Sequence, residues 1–437
     1  MHLDDLAGQL AALPPQLTEA HLQRAGLCVL DALACAHGGR RTPWVAQARA
    51  VTDGGSAATL WATDGQRSGL ADAVFVNSVS AHSLLAEDTH AASRVHPGTV
   101  VVPVALGVGE AVGASREDVL HAVVLGYETL AQVAASTLTA GFVAGGWRAT
   151  GVFGPFGAAA AAAHLLGLDE PTTVHALALA ANSAAGTCEW APAGTTEVYF
   201  QPATAARAGV VAALLARAGA RGAASAIEGL FGLRRAFGGK EDGVVGPAVT
   251  VDRLAIEESF FKAHASCAFT QAAIDAAVRA HALGIDAGAV AEVAIHTSNA
   301  AATYPGCDNP TRFDTPIARQ MSLQFAVAAA LLDGRLEPGR YGGVVDGRLA
   351  ALAGRSRVVV DPDHDRDLPA RLGSRVELVL DTGEVLSVAS GEQVDLPPAG
   401  VPDKFRALAA DLLTCDEVVG LLTCTDDWTA RELTAVL

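Results

Sequence analysis

Residues 87–98 gather two carboxylates (Glu87, Asp88), two histidines (His90, His96), an arginine (Arg94) and two hydroxyls (Thr89, Ser93). The chain as a whole is only 18% charged, so this concentration points to proton transfer beside a held anion. Imidazole titrates near neutrality, a carboxylate can orient it, and a guanidinium can grip a carboxylate with paired N–H donors. The plainer alternative is a polar loop that caps a helix. Pro97 and Gly98 lead into the apolar run 100–106, and proline suits a first helical turn while glycine allows close backbone approach.

Two further groups have chemistry to offer. Residues 145–154 set Trp147 and Arg148 among four glycines, just before a helix expected to begin near Pro155. Free N–H groups at a helix start and an adjacent arginine suit a carboxylate, with glycine-mediated helix packing as the alternative. Residues 260–267 bring Lys262, His264, Ser266 and Cys267 to an expected domain boundary, where binding sites commonly lie. Lysine there can neutralise a carboxylate or, if desolvated, act as a base, whereas a lone cysteine is more often a small buried apolar residue.

The elements that must position these residues follow from composition and periodicity. The 437 residues are 51% apolar with only 5% aromatic, which suits Ala/Val/Leu packing between close helices. Helical patterns run over 118–135, 158–166, 171–185 and 203–218. Strand patterns then appear at 290–298, 356–361 and 375–380, the last joined through Asp381-Thr382-Gly383-Glu384 to 385–388 as a hairpin. Helices are expected among them at 269–282 and 316–332, and helical spacing returns over 402–437. The expected fold is mainly α: a large all-helical domain over 1–255, completed by 395–437, with a smaller α+β lid domain over 256–394.

Some function classes are disfavoured. A net charge of −17 and 30 scattered Lys and Arg residues argue against nucleic-acid binding. Seven cysteines without CxxC pairs argue against a disulfide framework or structural zinc. The start of the chain lacks signal-peptide character, and no uninterrupted apolar stretch reaches spanning length, so a cytoplasmic protein without membrane contact is expected. There is no P-loop Gly-Lys-Ser/Thr and no strand-linked GxGxxG, and His90 and His96 lack the HExxH arrangement. Neither cofactor nor metal is expected.

Taken in order, Asp88-Thr89 with His96-Pro97-Gly98, Gly126-Tyr127-Glu128, residues 146–154, Phe261-Lys262 and Ser266-Cys267 resemble the MmgE/PrpD family over most of the chain. That family includes 2-methylcitrate dehydratase, cis-aconitate decarboxylase and iminodisuccinate epimerase, which act on small polycarboxylates without metal or organic cofactor. The resemblance implies a helical domain with an α+β lid, a homodimer, and a pocket between the domains. It also places the family's functional residues on Asp88, Thr89, His96 and Lys262. Elsewhere the chain departs from the family: Arg148 replaces a histidine, and Val198, Gln201, Leu85, Gln271 and Phe325 stand where relatives carry polar groups.

The expected function is therefore a cofactor-independent lyase, a dehydratase or decarboxylase, acting on a small carboxylic acid. His96 would shuttle the proton, Asp88 would orient it, and Lys262 with Arg148 would hold carboxylate or stabilise an enolate-like intermediate. Thr89, Arg94, Trp147, His264, Ser266 and Cys267 are expected around the substrate, with His264 or His90 as a second proton-transfer group. The lost polar positions fit a less charged substrate. An isomerase, an epimerase or a cyclase is the alternative within catalysis, and a non-catalytic dimeric binding protein is the alternative outside it.

Overall fold

The computed structural model describes residues 2–63, 65–238, 249–368, 370–392 and 394–437. The architecture is mainly helical, with a smaller part in which helices cover a sheet.

The helical part is built around the Ala149–Leu165 helix, which is buried along its whole length except at His164. It packs against the Pro97–Val112, Arg116–Thr137 and Glu197–Arg217 helices. Small residues make this possible: a Cβ on Gly157 would stand 2.6 Å from the Gly126 carbonyl oxygen, so the two backbones approach closer than any side chain allows. The Glu19–Gly39 helix and the final helices join the same apolar core, with Phe405 and Val401 packed into it.

Three of these helices contain a proline well inside their length: Pro103, Pro155 and Pro202. Each lacks the N–H that would bond the carbonyl four residues back. All three freed carbonyls have found another donor. Thr99 O accepts from the Ser78 hydroxyl at 2.5 Å, Gly151 O from the Ala185 N–H at 3.4 Å, and Val198 O from Arg148 Nη1 at 3.4 Å. The helices therefore start earlier than proline as a breaker predicts: at Ala149 rather than near Pro155, and at Glu197 rather than 203.

In the mixed part, a four-stranded sheet has the spatial order Ser356–Val360, Val290–Thr297, Ser374–Leu380, Val385–Ala389. The first pair is parallel and the others antiparallel, with the expected hairpin joining the last two strands. Val293, Ile295, Val376 and Leu378 meet Ile274 and Ala277 of the Gln271–Ala282 helix and Val327 of the Leu323–Asp333 helix in a second apolar core. The expected 316–332 helix is two helices, because Ser322 ends the first and caps the second through Phe325 N.

One small ladder matters most for the site. Thr89–His90 pairs antiparallel with Ser259–Phe260, Thr89 opposite Phe260 and His90 opposite Ser259. It fastens the polar loop to the segment that carries Lys262. Among the described residues two helices, Arg116–Thr137 and Glu197–Arg217, are long and apolar enough to cross a membrane, and 89% and 56% of their apolar windows are buried inside the fold.

Candidate active site

The polar loop sits between the C-terminus of the Leu70–His82 helix and the N-terminus of the Pro97–Val112 helix. It borders a cavity of about 460 Å³. One wall comes from the helical part (Leu85, Thr89, Arg94, His96, Arg148, Val198) and the other from the mixed part (Lys262, Cys267, Phe269, Tyr304, Met321, Leu372).

Glu87 is the hub of the buried wall. Its Oε1 lies 2.9 Å from His82 Nδ1, 3.2 Å from His96 Nδ1 and 3.4 Å from Lys262 Nζ. The side chains of Glu87, His82 and Lys262 are 0% exposed and that of His96 is 17% exposed. Burial works against ionisation of Glu87, but Lys262, His82 and His96 outweigh it and hold the carboxyl well below its usual range. Lys262 also donates to Leu85 O at 2.7 Å. Leu85 and Arg94 both have left-handed backbones, with φ of 54° and 55°. Such conformations are uncommon outside glycine, and here they bracket Glu87, Asp88, Thr89 and His90.

The network assigns the histidine tautomers. Arg148 Nη2 lies 2.9 Å from His82 Nε2, and a guanidinium can only donate. His82 Nε2 is therefore the acceptor, and its Nδ1–H goes to Glu87. His96 likewise turns Nδ1 toward the Glu87 carboxylate, with Thr89 Oγ1 at 3.1 Å. That leaves Nε2, across the ring, as a bare lone pair in a residue that lines the cavity. Burial first, then the charge of Lys262, lowers the His96 pKa well below the ordinary histidine value, so the ring is neutral at neutral pH. His96 and Arg148 also occupy the N-caps of the Pro97–Val112 and Ala149–Leu165 helices, whose positive ends favour an anion in front of them.

Asp88 does not orient His96. Its Oδ1 accepts from Gly98 N at 3.0 Å and its Oδ2 from the Tyr127 hydroxyl at 2.7 Å, so it fixes the start of the helix behind the loop. Burial and the neighbouring Asp31 push its carboxyl up to about 7. A Cβ on Gly98 would stand 2.4 Å from Asp88 Oδ1, which is why glycine occupies that place. The acid beside His96 is Glu87, one residue earlier.

The other expected residues divide. Thr89, Arg94, Arg148, Lys262 and Cys267 line the cavity. Trp147, His264 and Ser266 are not among its lining residues. Trp147 packs edge-on against Phe237 at 4.7 Å, Ser266 donates to Gln320 O at 2.8 Å, and the His264 backbone is clamped by Gln271. Burial takes His264 down to about 4. His90 is turned away too, with Nδ1 on Ser93 Oγ at 2.7 Å and Nε2 3.4 Å from Glu258. Among the positions that the resemblance sets against polar groups of the family, Val198 and Leu85 line the cavity, whereas Gln201, Gln271 and Phe325 are not among its lining residues.

Three further participants lie outside the motifs that the sequence marks. His82 ends a helix five residues before Glu87, so the polar cluster extends upstream of where it was recognised. Tyr304 brings a hydroxyl to the cavity wall, kept protonated by burial, and nothing local marks it. Lys404, from the last part of the chain, reaches Asp31 at 2.6 Å and the carbonyls of Ala86 and Lys262, tying both site segments together from behind. Asp31 in turn accepts from Asp88 N at 2.9 Å. Among the described residues no group of three His, Cys, Asp or Glu side chains could hold a metal ion.

Residues 5–244 match the family model of the MmgE/PrpD N-terminal domain, and residues 264–428 that of the MmgE/PrpD C-terminal domain. A cis-aconitate decarboxylase of Aspergillus terreus is 24% identical over 426 residues, 90% of this chain and 85% of that protein. A cis-aconitate decarboxylase-like protein of Aspergillus oryzae is 31% identical over 215 residues, and human cis-aconitate decarboxylase 30% identical over 214. In both of these the matched stretch is 47% of this chain and 44% of the relative, so it spans less than half the relative's length.

Proposed function

The chain belongs to the MmgE/PrpD family, and from that premise we propose that it is an acid–base lyase acting on a small carboxylic acid. The observation that carries this reading is the His96 ring: its Nδ1 is tied to Glu87 and its Nε2 is left bare in the wall of a cavity that also holds Arg148 and Lys262. A neutral imidazole so placed takes a proton from the carbon next to a carboxylate. Arg94 holds that carboxylate, and Arg148 and Lys262, fixed in the wall behind it, add their field to stabilise the negative charge that develops there, where a low-dielectric wall makes fixed charge most effective. The imidazolium so formed returns the proton to the departing oxygen, and the Tyr304 hydroxyl on the facing wall, kept protonated by burial, is placed to hydrogen-bond that oxygen as it leaves.

The test is turnover of a panel of hydroxy and unsaturated acids, read by NMR in deuterated water. His96→Ala should lose roughly 10²- to 10⁴-fold in rate, the usual contribution of a general base, with an unchanged circular dichroism spectrum. Turnover at the native rate in that variant would end the assignment. The product separates elimination from isomerisation: a lyase releases an unsaturated acid, whereas an isomerase returns the substrate inverted and deuterated at its acidic carbon.

A further inference from the structure

We propose that the cavity accepts a substrate with a single carboxylate, seated on Arg94, and an uncharged, mainly apolar body; this rests on reading the cavity as the lyase site. Among the described residues, four lining side chains can carry positive charge: Arg94, His96, Arg148 and Lys262. Lys262 is wholly buried, with its ammonium on Glu87 and on the Leu85 carbonyl, so its charge is neutralised within the wall. Arg148 is 4% exposed, with one edge on His82 Nε2 and on the Val198 carbonyl and its guanidinium carbon 5.2 Å from the Trp190 ring. His96 is bound to Glu87. Arg94 differs from all three. It is half-buried at the cavity, and among the described residues its guanidinium has no ion pair and no hydrogen bond.

An unpaired guanidinium in a concave wall, on a backbone held at a φ of 55°, is a place prepared for one planar anion. The rest of the lining offers nothing comparable. Leu138, Val143, Val198, Phe269, Met321 and Leu372 present hydrocarbon, and among the described residues no acidic side chain lines the cavity to call for a cation. A second or third carboxylate placed against those side chains would leave water without recovering a donor. An alkyl or alkenyl chain placed there gains contact instead.

Isothermal titration calorimetry on the full chain tests this with straight-chain monocarboxylates from butanoate to octanoate, the corresponding amides, citrate and cis-aconitate. Affinity should rise about fourfold per added methylene, the factor that corresponds to burying one CH₂. Hexanamide should bind at least about tenfold more weakly than hexanoate, since a charge-assisted bond is lost. Arg94→Ala should bring hexanoate down to the level of its amide, and Arg94→Lys should recover part of the difference. Citrate or cis-aconitate binding more tightly than hexanoate would overturn the proposal, as would an Arg94→Ala variant with unchanged hexanoate affinity. Because these are binding measurements, they fail separately from the lyase reading: catalysis dependent on His96 but directed at tricarboxylates removes the substrate class alone. The binding trend with turnover indifferent to His96 removes the lyase alone.

Discussion

At the scale of single residues, the chemistry depends on one buried carboxylate serving three partners. Glu87 pairs with Lys262, takes the Nδ1–H of His82 and lies 3.2 Å from Nδ1 of His96. Replacing it with glutamine leaves the Lys262 ammonium buried without a counter-charge, and breaking a buried pair in this way costs about 3–5 kcal/mol. Glu87→Gln should therefore lower the urea midpoint strongly, and a variant of native stability would show that Lys262 finds its compensation elsewhere. The pH dependence follows from His96. A base works in its unprotonated form, and the His96 pKa is lowered well below the ordinary value of about 6.5 by burial and by Lys262. As pH falls, activity should thus persist through the usual histidine range and decline only at more acid values. A kcat/KM profile flat from about pH 8 to 6 is expected, and an acid limb centred at or above about 6.5 would contradict the assignment.

At the scale of elements, the internal prolines explain both a misreading and a device. Taken as breakers, Pro155 and Pro202 hid the first turns of two helices, because the sequence shows the missing N–H but not the distant donor that replaces it. At Val198 that donor is Arg148 itself. Pro202→Ala would restore the local bond to Val198 O and should stabilise the protein by about 1–3 kcal/mol, the range set by proline in a helix interior. The carbonyl has a second lone pair, so turnover should fall by no more than about tenfold, the worth of one ordinary hydrogen bond. A lower melting temperature in that variant would mean that packing of the ring, not the missing bond, governs the site. Elements with strong local signals were legible: the Asp381-Thr382-Gly383-Glu384 turn announced its hairpin, with Gly383 at a φ of 83°. The two-residue ladder of Thr89–His90 with Ser259–Phe260 was not, because two residues carry no periodicity, yet it sets Lys262 beside Glu87. The same limit applies within the site. His96, Arg148 and Lys262 stood out by residue type, but the choice between Glu87 and Asp88 depends on which carboxyl faces inward, and Lys404 arrives from more than 300 residues away.

At the scale of the whole molecule, charge is divided unevenly. The chain carries a net −17, while among the described residues the charged side chains that line the cavity are Arg94, Arg148 and Lys262. An anionic substrate is therefore repelled at long range and attracted only on arrival. The two effects respond differently to salt. The Debye length is about 30 Å at 0.01 M and about 8 Å at 0.15 M, so added salt removes the distant repulsion while barely touching contacts inside the cavity. For a carboxylate substrate, kcat/KM should accordingly rise between those ionic strengths, through the association step, with kcat little changed. A protein that steers its anion by a positive outer field would show the reverse, a fall in kcat/KM with salt. An uncharged amide of the same acid gives the control: its association should be indifferent to salt, so a common rise for acid and amide would point to a conformational response rather than to the screening of charge.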